Sequence, residues 1–385
     1  MNKSTADLRS FQKKLLSWFA QFQRDLPWRR SKDPYRIWVS EIMLQQTRVA
    51  AAIPYYERFL ERFPDIRTLA EAPEEDVLRL WSGLGYYSRA KNLQKAARQI
   101  VALHGGEFPR EAEAVRALPG IGRYTGAAIL SIAFGAKHAV LDGNVARVLA
   151  RLYAIRGDLR EARRWQSLQN SADELLAAQL SGEWNQAMME LGATICTPKA
   201  PQCLLCPVTD FCEARKLGKP EAFPEARKKR EPVEVLLAAA VFCDTQRRTL
   251  LLPPPAREEA KPAADHVPTL VSGMWHFPTV AILRDASGEL RKYLRTHLDV
   301  KAAKPDLEPL PTVKHSVTYR SLRVAPFRVR VTDLPKVPGA RPIALEELSS
   351  LPVSNLTRKI ARAAASASPA DTAQEADSPL LVAND

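Results

Sequence analysis

Apolar side chains recur at helical spacing through the first half of the chain. Leu8, Phe11, Leu15, Trp18 and Phe22 follow one another at steps of three or four residues, which is the period of an amphipathic helix. Similar patterns predict helices at residues 35–50, 51–63, 73–84, 88–104, 111–117, 124–134, 145–153, 161–179 and 183–195. No stretch before residue 198 has a convincing strand pattern, so the sequence predicts an all-α first half.

The pattern changes after residue 197, and most of the 29 prolines lie in the second half. Runs rich in β-branched or aliphatic residues predict strands at 233–242, 249–252, 274–283, 312–318 and 322–331. Helical patterns occur near residues 289–298 and 354–365. The second half is therefore predicted to be an α+β domain.

These changes divide the chain into four parts. We predict an all-α domain at residues 8–213, a linker at 214–232, an α+β domain at 233–362 and a disordered tail at 363–385. The linker is largely polar with a basic centre, and the tail carries acidic residues but no Lys or Arg. A chain of 385 residues is long enough to bury two separate cores.

Charge favours a polyanionic partner. Lys and Arg number 56 against 43 Asp and Glu, a formal net charge of +13, which suits nucleic acid better than a membrane. The N-terminus lacks the apolar core of a signal peptide, and no apolar run approaches the roughly 20 residues of a membrane helix. We therefore expect a soluble, cytoplasmic protein that is associated with the nucleoid if its source is bacterial.

Residues 118–122 read Leu-Pro-Gly-Ile-Gly and lie between two predicted helices. Pro119 ends the first helix, and the absence of a Cβ at Gly120 and Gly122 lets a phosphate approach the amides that begin the second. The stretch therefore predicts either a helix-hairpin-helix that grips a DNA backbone or an ordinary tight turn.

Four of the five cysteines lie close together, in the pattern Cys196-x6-Cys203-x2-Cys206-x5-Cys212. Four thiolates in one loop suit zinc or an iron–sulfur cluster. Zinc ribbons usually pair two close Cys-x2-Cys units, whereas this loop has one. The spacing favours a 4Fe-4S cluster with a structural and DNA-docking role.

The cysteine spacing, the Leu-Pro-Gly-Ile-Gly stretch and Val-Leu-Asp-Gly-Asn at residues 140–144 together resemble the endonuclease III superfamily of DNA glycosylases. Residues 38–47 (Trp-Val-Ser-Glu-Ile-Met-Leu-Gln-Gln-Thr) and 83–89 (Gly-Leu-Gly-Tyr-Tyr-Ser-Arg) resemble the MutY-type adenine DNA glycosylases of that superfamily. The resemblance implies a monofunctional enzyme that removes adenine opposite 8-oxoguanine, or opposite G, from double-stranded DNA. We expect it to act as a monomer.

Two carboxylates are candidates for the chemistry. Glu41 shares a predicted helix face with apolar residues, so burial should raise its pKa and keep it protonated as a general acid. Asp142 precedes a predicted helix, whose N-terminus favours the ionised form, and it can face an oxocarbenium ion or attack the anomeric carbon. Without further context, the alternatives are that Glu41 is a solvated residue on a helix surface and that Asp142 only caps the helix that follows it. The resemblance implies that both are catalytic and that Asn144 supports Asp142.

Tyr124 distinguishes subfamilies within the resemblance. Relatives that also cut the DNA strand carry a lysine at this hairpin position, where its amine forms a Schiff base with the sugar. A phenol cannot do so, and the resemblance implies that Tyr124 assists Asp142. The alternatives are a bifunctional endonuclease III-like glycosylase/lyase and a non-catalytic DNA-binding protein that docks through the hairpin and the cluster.

The resemblance also implies DNA-contacting residues. Gln46 and Tyr86 correspond to side chains that wedge into the duplex beside the lesion and help to extrude the base. Trp28, Arg29 and Gln186 correspond to positions that line the adenine pocket.

The second domain resembles the Nudix-like C-terminal domain of MutY-type enzymes, which inspects the base opposite adenine. The resemblance rests on Gly-Met-Trp-His-Phe-Pro at residues 273–278. The glutamate-rich motif of Nudix hydrolases is missing, so pyrophosphate hydrolysis is not expected. Residues 317–319 read Val-Thr-Tyr where many relatives have Phe-Ser-His, and Thr318 keeps the hydroxyl at the recognition position.

Overall fold

The computed structural model describes residues 5–225, 231–254, 274–283, 285–298, 300, 306–317 and 319–366. The chain divides into two compact units. The first comprises Met1–Ala72 and Ser88–Lys229, and the second comprises Pro73–Tyr87 and Arg230–Asp385. Residues 73–87 therefore belong with the C-terminal part of the chain, although their helical pattern places them in the all-α half of the sequence.

The first unit is helical, as predicted, and none of its described residues lies in a strand. Helix α5 (Glu74–Trp81) belongs to the second unit. The other helices before residue 217 are α1 (Thr5–Phe22), α2 (Pro34–Leu44), α3 (Val49–Arg62), α4 (Ile66–Glu71), α6 (Ser88–His104), α7 (Ala112–Ala117), α8 (Arg123–Phe134), α9 (Gly143–Leu152), α10 (Ala162–Leu175), α11 (Ser181–Thr194) and α12 (Glu213–Lys216).

A core of apolar side chains holds α1, α8, α9, α10 and α11 together. Phe11 and Leu15, from the helical pattern at the start of the chain, are fully buried in it. The Phe11 ring packs on Trp184 of α11 with ring centroids 5.7 Å apart. Leu149 and Leu168 bring α9 and α10 to the same core. This packing fixes the helix N-termini that carry Tyr124 and Asp142.

The second unit contains a mixed sheet. Its strands are β1 (Val233–Cys243), β2 (Arg248–Leu251), β3 (Thr279–Ala281), β4 (Leu307–Pro309), β5 (Val313–Val317), β6 (Arg320–Arg330) and β7 (Arg341–Ala344). β1 pairs in parallel with β6 and antiparallel with β3. β4 and β5 both pair antiparallel with β6, while β2 and β7 form a separate two-stranded sheet.

Both faces of the central sheet are buried, which explains the continuous apolar run in β1. Alternate residues such as Leu237 and Val241 face a core that includes Ile360 of α14 (Asn355–Ser366). Their neighbours, including Phe242, face a core that includes Leu294 of α13 (Ala286–His297). The central sheet therefore has α14 on one face and α13 on the other. The prediction that the second half of the chain forms an α+β domain is confirmed.

Residues 214–225 of the predicted linker are packed into the first unit. Helix α12 begins directly after Cys212, and the Arg151 Nε donates to the Phe223 carbonyl at 2.9 Å. Ala214 and Phe223 are buried. These two apolar side chains dock a segment whose composition is otherwise polar.

Helix α14 continues to Ser366, beyond the predicted domain end at residue 362. Residues 226–230 of the predicted linker, Gly273, Thr318 and the tail from residue 367 lie outside the described residues. No helix in the described part of the chain is both long and apolar enough to cross a membrane.

Candidate active site

One cavity of about 510 Å³ in the first unit collects most of the predicted site residues. Its lining comes from α2, α8, α9, α11 and the loop before α2. The predicted residues that line it are Trp28, Arg29, Glu41, Gln46, Tyr124, Asp142, Asn144 and Gln186.

Glu41 lies on α2, a helix buried on nearly every face. Asp33 begins the helix by accepting a hydrogen bond from the Tyr35 amide at 2.9 Å. The Glu41 side chain is 6% exposed, and burial raises its pKa to about 7, although a hydrogen bond from Tyr124 acts in the opposite direction. This carboxyl group therefore keeps its proton to a higher pH than a solvated glutamate does.

Tyr124 lies in the first turn of α8 and reaches Glu41 directly. Its hydroxyl donates to the Glu41 Oε2 at 2.6 Å and lies 3.3 Å from the Met189 Sδ. Burial and the nearby carboxylates raise the pKa of Tyr124 well above its usual value. The phenol thus remains protonated, and it links the helix-hairpin-helix stretch to the candidate acid.

Asp142 is the N-cap residue of α9, so it stabilises the start of that helix. The carboxylate accepts from the Val145 amide at 2.7 Å and from the Asn144 Nδ2 at 3.0 Å. Burial raises the pKa of Asp142, while these donors and the charge of Arg147 act to lower it. A capping carboxylate that also lines the cavity is available to a ligand.

Glu190 and Arg24 line the cavity but were not predicted from the sequence. Glu190 is 1% exposed, and Arg24 binds it through Nε at 2.7 Å and Nη2 at 2.8 Å. Arg29 adds a contact through Nη2 at 2.8 Å. Burial acts to raise the pKa of Glu190, but the two arginines outweigh it and lower the pKa to about 2. One sequence signal was present: Glu190 follows Gln186 by four residues on α11, so both share one helix face.

The turn after α2 places Gln46 at the rim of the cavity. Buried Arg89 donates through Nη1 to the carbonyls of Ile42, Met43 and Gln45 at 2.8, 2.9 and 2.6 Å, which satisfies the end of α2. Gln46 itself is exposed and has a left-handed φ of 57°. Such a backbone is uncommon for a residue with a side chain.

The Leu-Pro-Gly-Ile-Gly stretch joins α7 to α8, so the turn between two helices that a helix-hairpin-helix requires is present. Gly120 has a φ of 79°, and an added Cβ would lie 2.9 Å from the Asn92 Cβ. Gly122 begins α8 without a side-chain cap, and an added Cβ there would meet open space. The first amides of α8 are therefore accessible to an anion. Neither glycine lines the cavity.

The four predicted metal ligands line a second, small cavity of about 30 Å³, together with Arg151. Burial raises the pKa of the Cys206 thiol to about 12 and raises that of Cys212. The described side chains nevertheless form no ready-made group for a metal ion. The shared cavity shows that the four cysteines of the loop lie around one space.

A chain of hydrogen bonds runs from the first cavity to this cysteine loop. The Arg147 Nη2 donates to the Asn144 Oδ1 at 2.9 Å, and its Nε donates to the Cys196 carbonyl at 2.8 Å. The Arg151 Nη1 lies 3.3 Å from the Cys196 Sγ. Helix α9 therefore contacts both Asp142 and the cysteine loop.

Tyr86 does not line the cavity. It belongs to the second unit, where its side chain is 44% exposed and its φ is 49°. Each of the two predicted wedge residues, Gln46 and Tyr86, thus has an exposed side chain and a backbone with a left-handed φ.

Known proteins resemble the chain along most of its length. Residues 39–200 match the family described as HhH-GPD superfamily base excision DNA repair protein. The adenine DNA glycosylase of Rattus norvegicus is 36% identical over 404 residues, which cover 93% of this chain and 78% of that protein. The adenine DNA glycosylase of Homo sapiens is 37% identical over 415 residues, covering 94% of this chain and 75% of that protein. A solved thermostable thymine-DNA glycosylase aligns with a TM-score of 0.52 at 28% identity, covering 56% of this chain and 100% of that one.

Proposed function

Because the chain belongs to the adenine DNA glycosylases of the helix-hairpin-helix superfamily, we propose that it hydrolyses the N-glycosidic bond of adenine opposite 8-oxoguanine in duplex DNA. The observation that carries the proposal is the meeting of Glu41, Tyr124 and Asp142 in one cavity. Two carboxyl groups with different surroundings can divide acid and electrostatic roles between them.

Glu41 is the proposed general acid. Adenine leaves the sugar readily only after its ring has been protonated. The Tyr124 hydroxyl occupies Oε2 of Glu41, which leaves Oε1 to carry the proton. Entry of a base removes more water from the cavity and favours the neutral acid further.

Asp142 is the proposed partner of the sugar cation. Loss of adenine leaves positive charge on the anomeric carbon, and a fixed carboxylate stabilises that charge or attacks the carbon directly. The Val145 amide and Asn144 hold this carboxylate in place. Water then completes hydrolysis and yields an abasic site.

We further propose that the enzyme is monofunctional. A glycosylase/lyase needs an amine for the Schiff base, and the cavity residues that the structure describes include no lysine. Arg24 and Arg29 are bound to Glu190, and a guanidinium group is too basic in proteins to serve as the neutral amine. Trp28 also lines the cavity, and its indole ring is suited to the flat face of adenine.

DNA is proposed to bind across the hairpin and the two wedge residues. The amides at the start of α8, beside Gly120 and Gly122, can hold a backbone phosphate. Gln46 and Tyr86 present exposed side chains on strained backbones, and such strain concentrates at functional sites. The net charge of +13 supports the duplex as partner.

The second unit is proposed to be Nudix-like and to read the oxidised guanine. Its central sheet has a helix on each face, which is compatible with that fold. Tyr319, the residue after the proposed recognition position in sequence, lies in the turn between β5 and β6. Tyr319 in that turn is exposed, and the Arg320 guanidinium lies 5.2 Å from its ring centroid. Thr318, the proposed hydroxyl contact, lies outside the described residues.

Cys196, Cys203, Cys206 and Cys212 would hold a 4Fe-4S cluster. The donor set fits this group: four thiols border one cavity, and the Arg151 guanidinium lies against one sulfur, where it compensates negative charge. Buried thiols with raised pKa values ionise when a metal replaces the proton. The cluster would supply a rigid cross-link for the loop after α11.

The proposal predicts a ranking of substrates. Duplexes with adenine opposite 8-oxoguanine, G, C and T are incubated with excess enzyme, and adenine release and strand nicking are measured separately. We expect the fastest release opposite 8-oxoguanine, slower release opposite G and no nicking without added base. Nicking at the rate of base release would instead identify a glycosylase/lyase, and binding without release would identify a non-catalytic protein.

Iron analysis tests the cluster. Protein purified without oxygen should contain about four irons per chain and absorb in the visible range. Cys203→Ser should lose iron, because one of four ligands is removed. Cys243→Ser is the matched control, since Cys243 lies in β1, far along the chain from the loop, and should keep its iron. Stoichiometric zinc without iron would contradict the cluster.

A further inference from the structure

The turn at residues 82–87 has an unusual backbone. Gly83, Gly85 and Tyr86 have φ values of 113°, 72° and 49°. Glycine adopts this region readily, but a tyrosine there is strained. Such a conformation persists only when the surrounding structure fixes it, so the contacts of the turn decide whether Tyr86 can stay in place.

Several hydrogen bonds form inside the turn and its flanks. The Trp81 Nε1 donates to the Gly85 carbonyl at 3.2 Å, and the Gly83 amide donates to the Tyr87 hydroxyl at 3.4 Å. The Leu84 amide also donates to the Trp81 carbonyl at 3.0 Å.

The turn is also held by contacts with the start of α14, in the same compact unit. The Asn355 Nδ2 donates to the Gly83 carbonyl at 3.0 Å. The Arg358 Nη2 donates to the Ser82 Oγ at 2.9 Å. Ser82, which is 3% exposed, in turn donates through Oγ to the Val353 carbonyl at 2.6 Å. A segment more than 260 residues away in sequence thus clamps the first two residues of the turn.

We propose that Asn355 and Arg358 are positioning residues for Tyr86, and that α14 thereby contributes to extrusion of the target adenine. The inference rests on the proposed function, in which Tyr86 wedges into the duplex. A wedge separates stacked bases only if its own backbone does not yield under the opposing force. Hydrogen bonds from a charged, partly buried Arg358 supply that resistance, because bonds to charged groups are stronger than neutral ones.

This role differs from inspection of the opposite base. Asn355 and Arg358 act on the turn, and neither lines the cavity that holds Glu41 and Asp142. Their removal should slow base unstacking while leaving the protonation chemistry intact. The C-terminal domain would then control excision through two separate surfaces.

The test measures extrusion directly in the full-length protein. A duplex carries fluorescent 2-aminopurine in place of the target adenine, opposite 8-oxoguanine, and stopped-flow mixing follows the rise in fluorescence as the base unstacks. We expect Arg358→Ala to slow the rise about tenfold and Asn355→Ala to slow it less. Arg358→Lys should recover part of the rate because a cationic donor remains. Arg362 is an exposed arginine one turn further along α14, so Arg362→Ala should show the same rate of fluorescence rise as the wild-type protein.

A second readout separates positioning from general damage. The excision rate should fall as rising pH removes the proton of Glu41, whose pKa is raised to about 7, and the midpoint of this fall should be the same in Arg358→Ala and Asn355→Ala as in the wild-type protein. A wild-type extrusion rate in the double variant would overturn the proposal, as would a shifted midpoint with unchanged extrusion. Thermal unfolding shows whether Arg358→Ala is folded, and Asn355→Ala carries the test if it is not. Failure of the wild-type protein to release adenine would instead overturn the proposed function, independently of these variants.

Discussion

Glu41→Gln is expected to reduce the single-turnover rate of adenine release by roughly 10²–10⁴-fold, the usual contribution of a general acid. The amide has nearly the shape of the acid and can still accept the Tyr124 hydrogen bond at Oε1, but it has no acidic proton to give. Binding to the lesion duplex should change little, because the proposed DNA contacts lie on other residues. Rates with excess enzyme and a separate binding titration measure the two effects.

The pH dependence of the same reaction follows from the raised pKa. Glu41 with a pKa of about 7 loses its proton as the pH rises through that value, so the wild-type rate should fall tenfold per pH unit on the alkaline side. Tyr124→Phe removes a hydrogen bond that lowers this pKa, and the alkaline limb should move to higher pH. Glu57→Gln, at an exposed position on α3, serves as the control. A wild-type rate in Glu41→Gln would remove Glu41 from the mechanism.

The elements that carry Glu41, Tyr124 and Asp142 could be predicted because the relevant signals are local. The helical period around residues 35–50 predicted the apolar surroundings of Glu41, and the structure buries it. The Leu-Pro-Gly-Ile-Gly stretch predicted a turn between two helices, and α7 and α8 flank it. Helix starts and turns depend on neighbouring residues, so a single sequence contains the information.

The group formed by Glu190, Arg24 and Arg29 could not be predicted in the same way. Glu190 lies 161 or more residues from either arginine in sequence, and a buried ion pair leaves no periodic signal. A glutamate on α11 is expected to face solvent unless a partner is known. Only the packing of α1 against α11, through side chains such as Phe11 and Trp184, brings the partners together.

The grouping of residues 73–87 with the C-terminal unit was missed for a related reason. The segment has the same amphipathic period as its neighbours, so the pattern assigns it to the helical domain. Its position is decided by contacts of Ser82 and Gly83 with residues 353–358. Polar contacts at that sequence separation are specified by the fold as a whole.

Asp142→Asn is expected to lower the rate of adenine release by about 10³-fold, since a preorganised electrostatic group commonly contributes that much. Asparagine caps helices as well as aspartate does, and its carbonyl oxygen can still accept the Val145 amide. The variant should therefore keep its thermal stability, which separates the capping role from the chemical one. Asp33→Asn, at the N-cap of α2, is the matched control and should keep both stability and rate.

The sign of the pH dependence provides a further check on Asp142. Burial raises its pKa above that of a free aspartate, so the wild-type rate should fall as the pH drops through this raised value and the carboxylate becomes neutral. Asp142→Asn has no charge to lose, and its residual rate should lack this acid limb while keeping the alkaline limb of Glu41. If the rate of Asp142→Asn still fell as the pH dropped, another group would be responsible for the loss of activity in acid. A near-wild-type rate would leave Asp142 with its capping role alone, and the positive charge on the sugar would need a different partner.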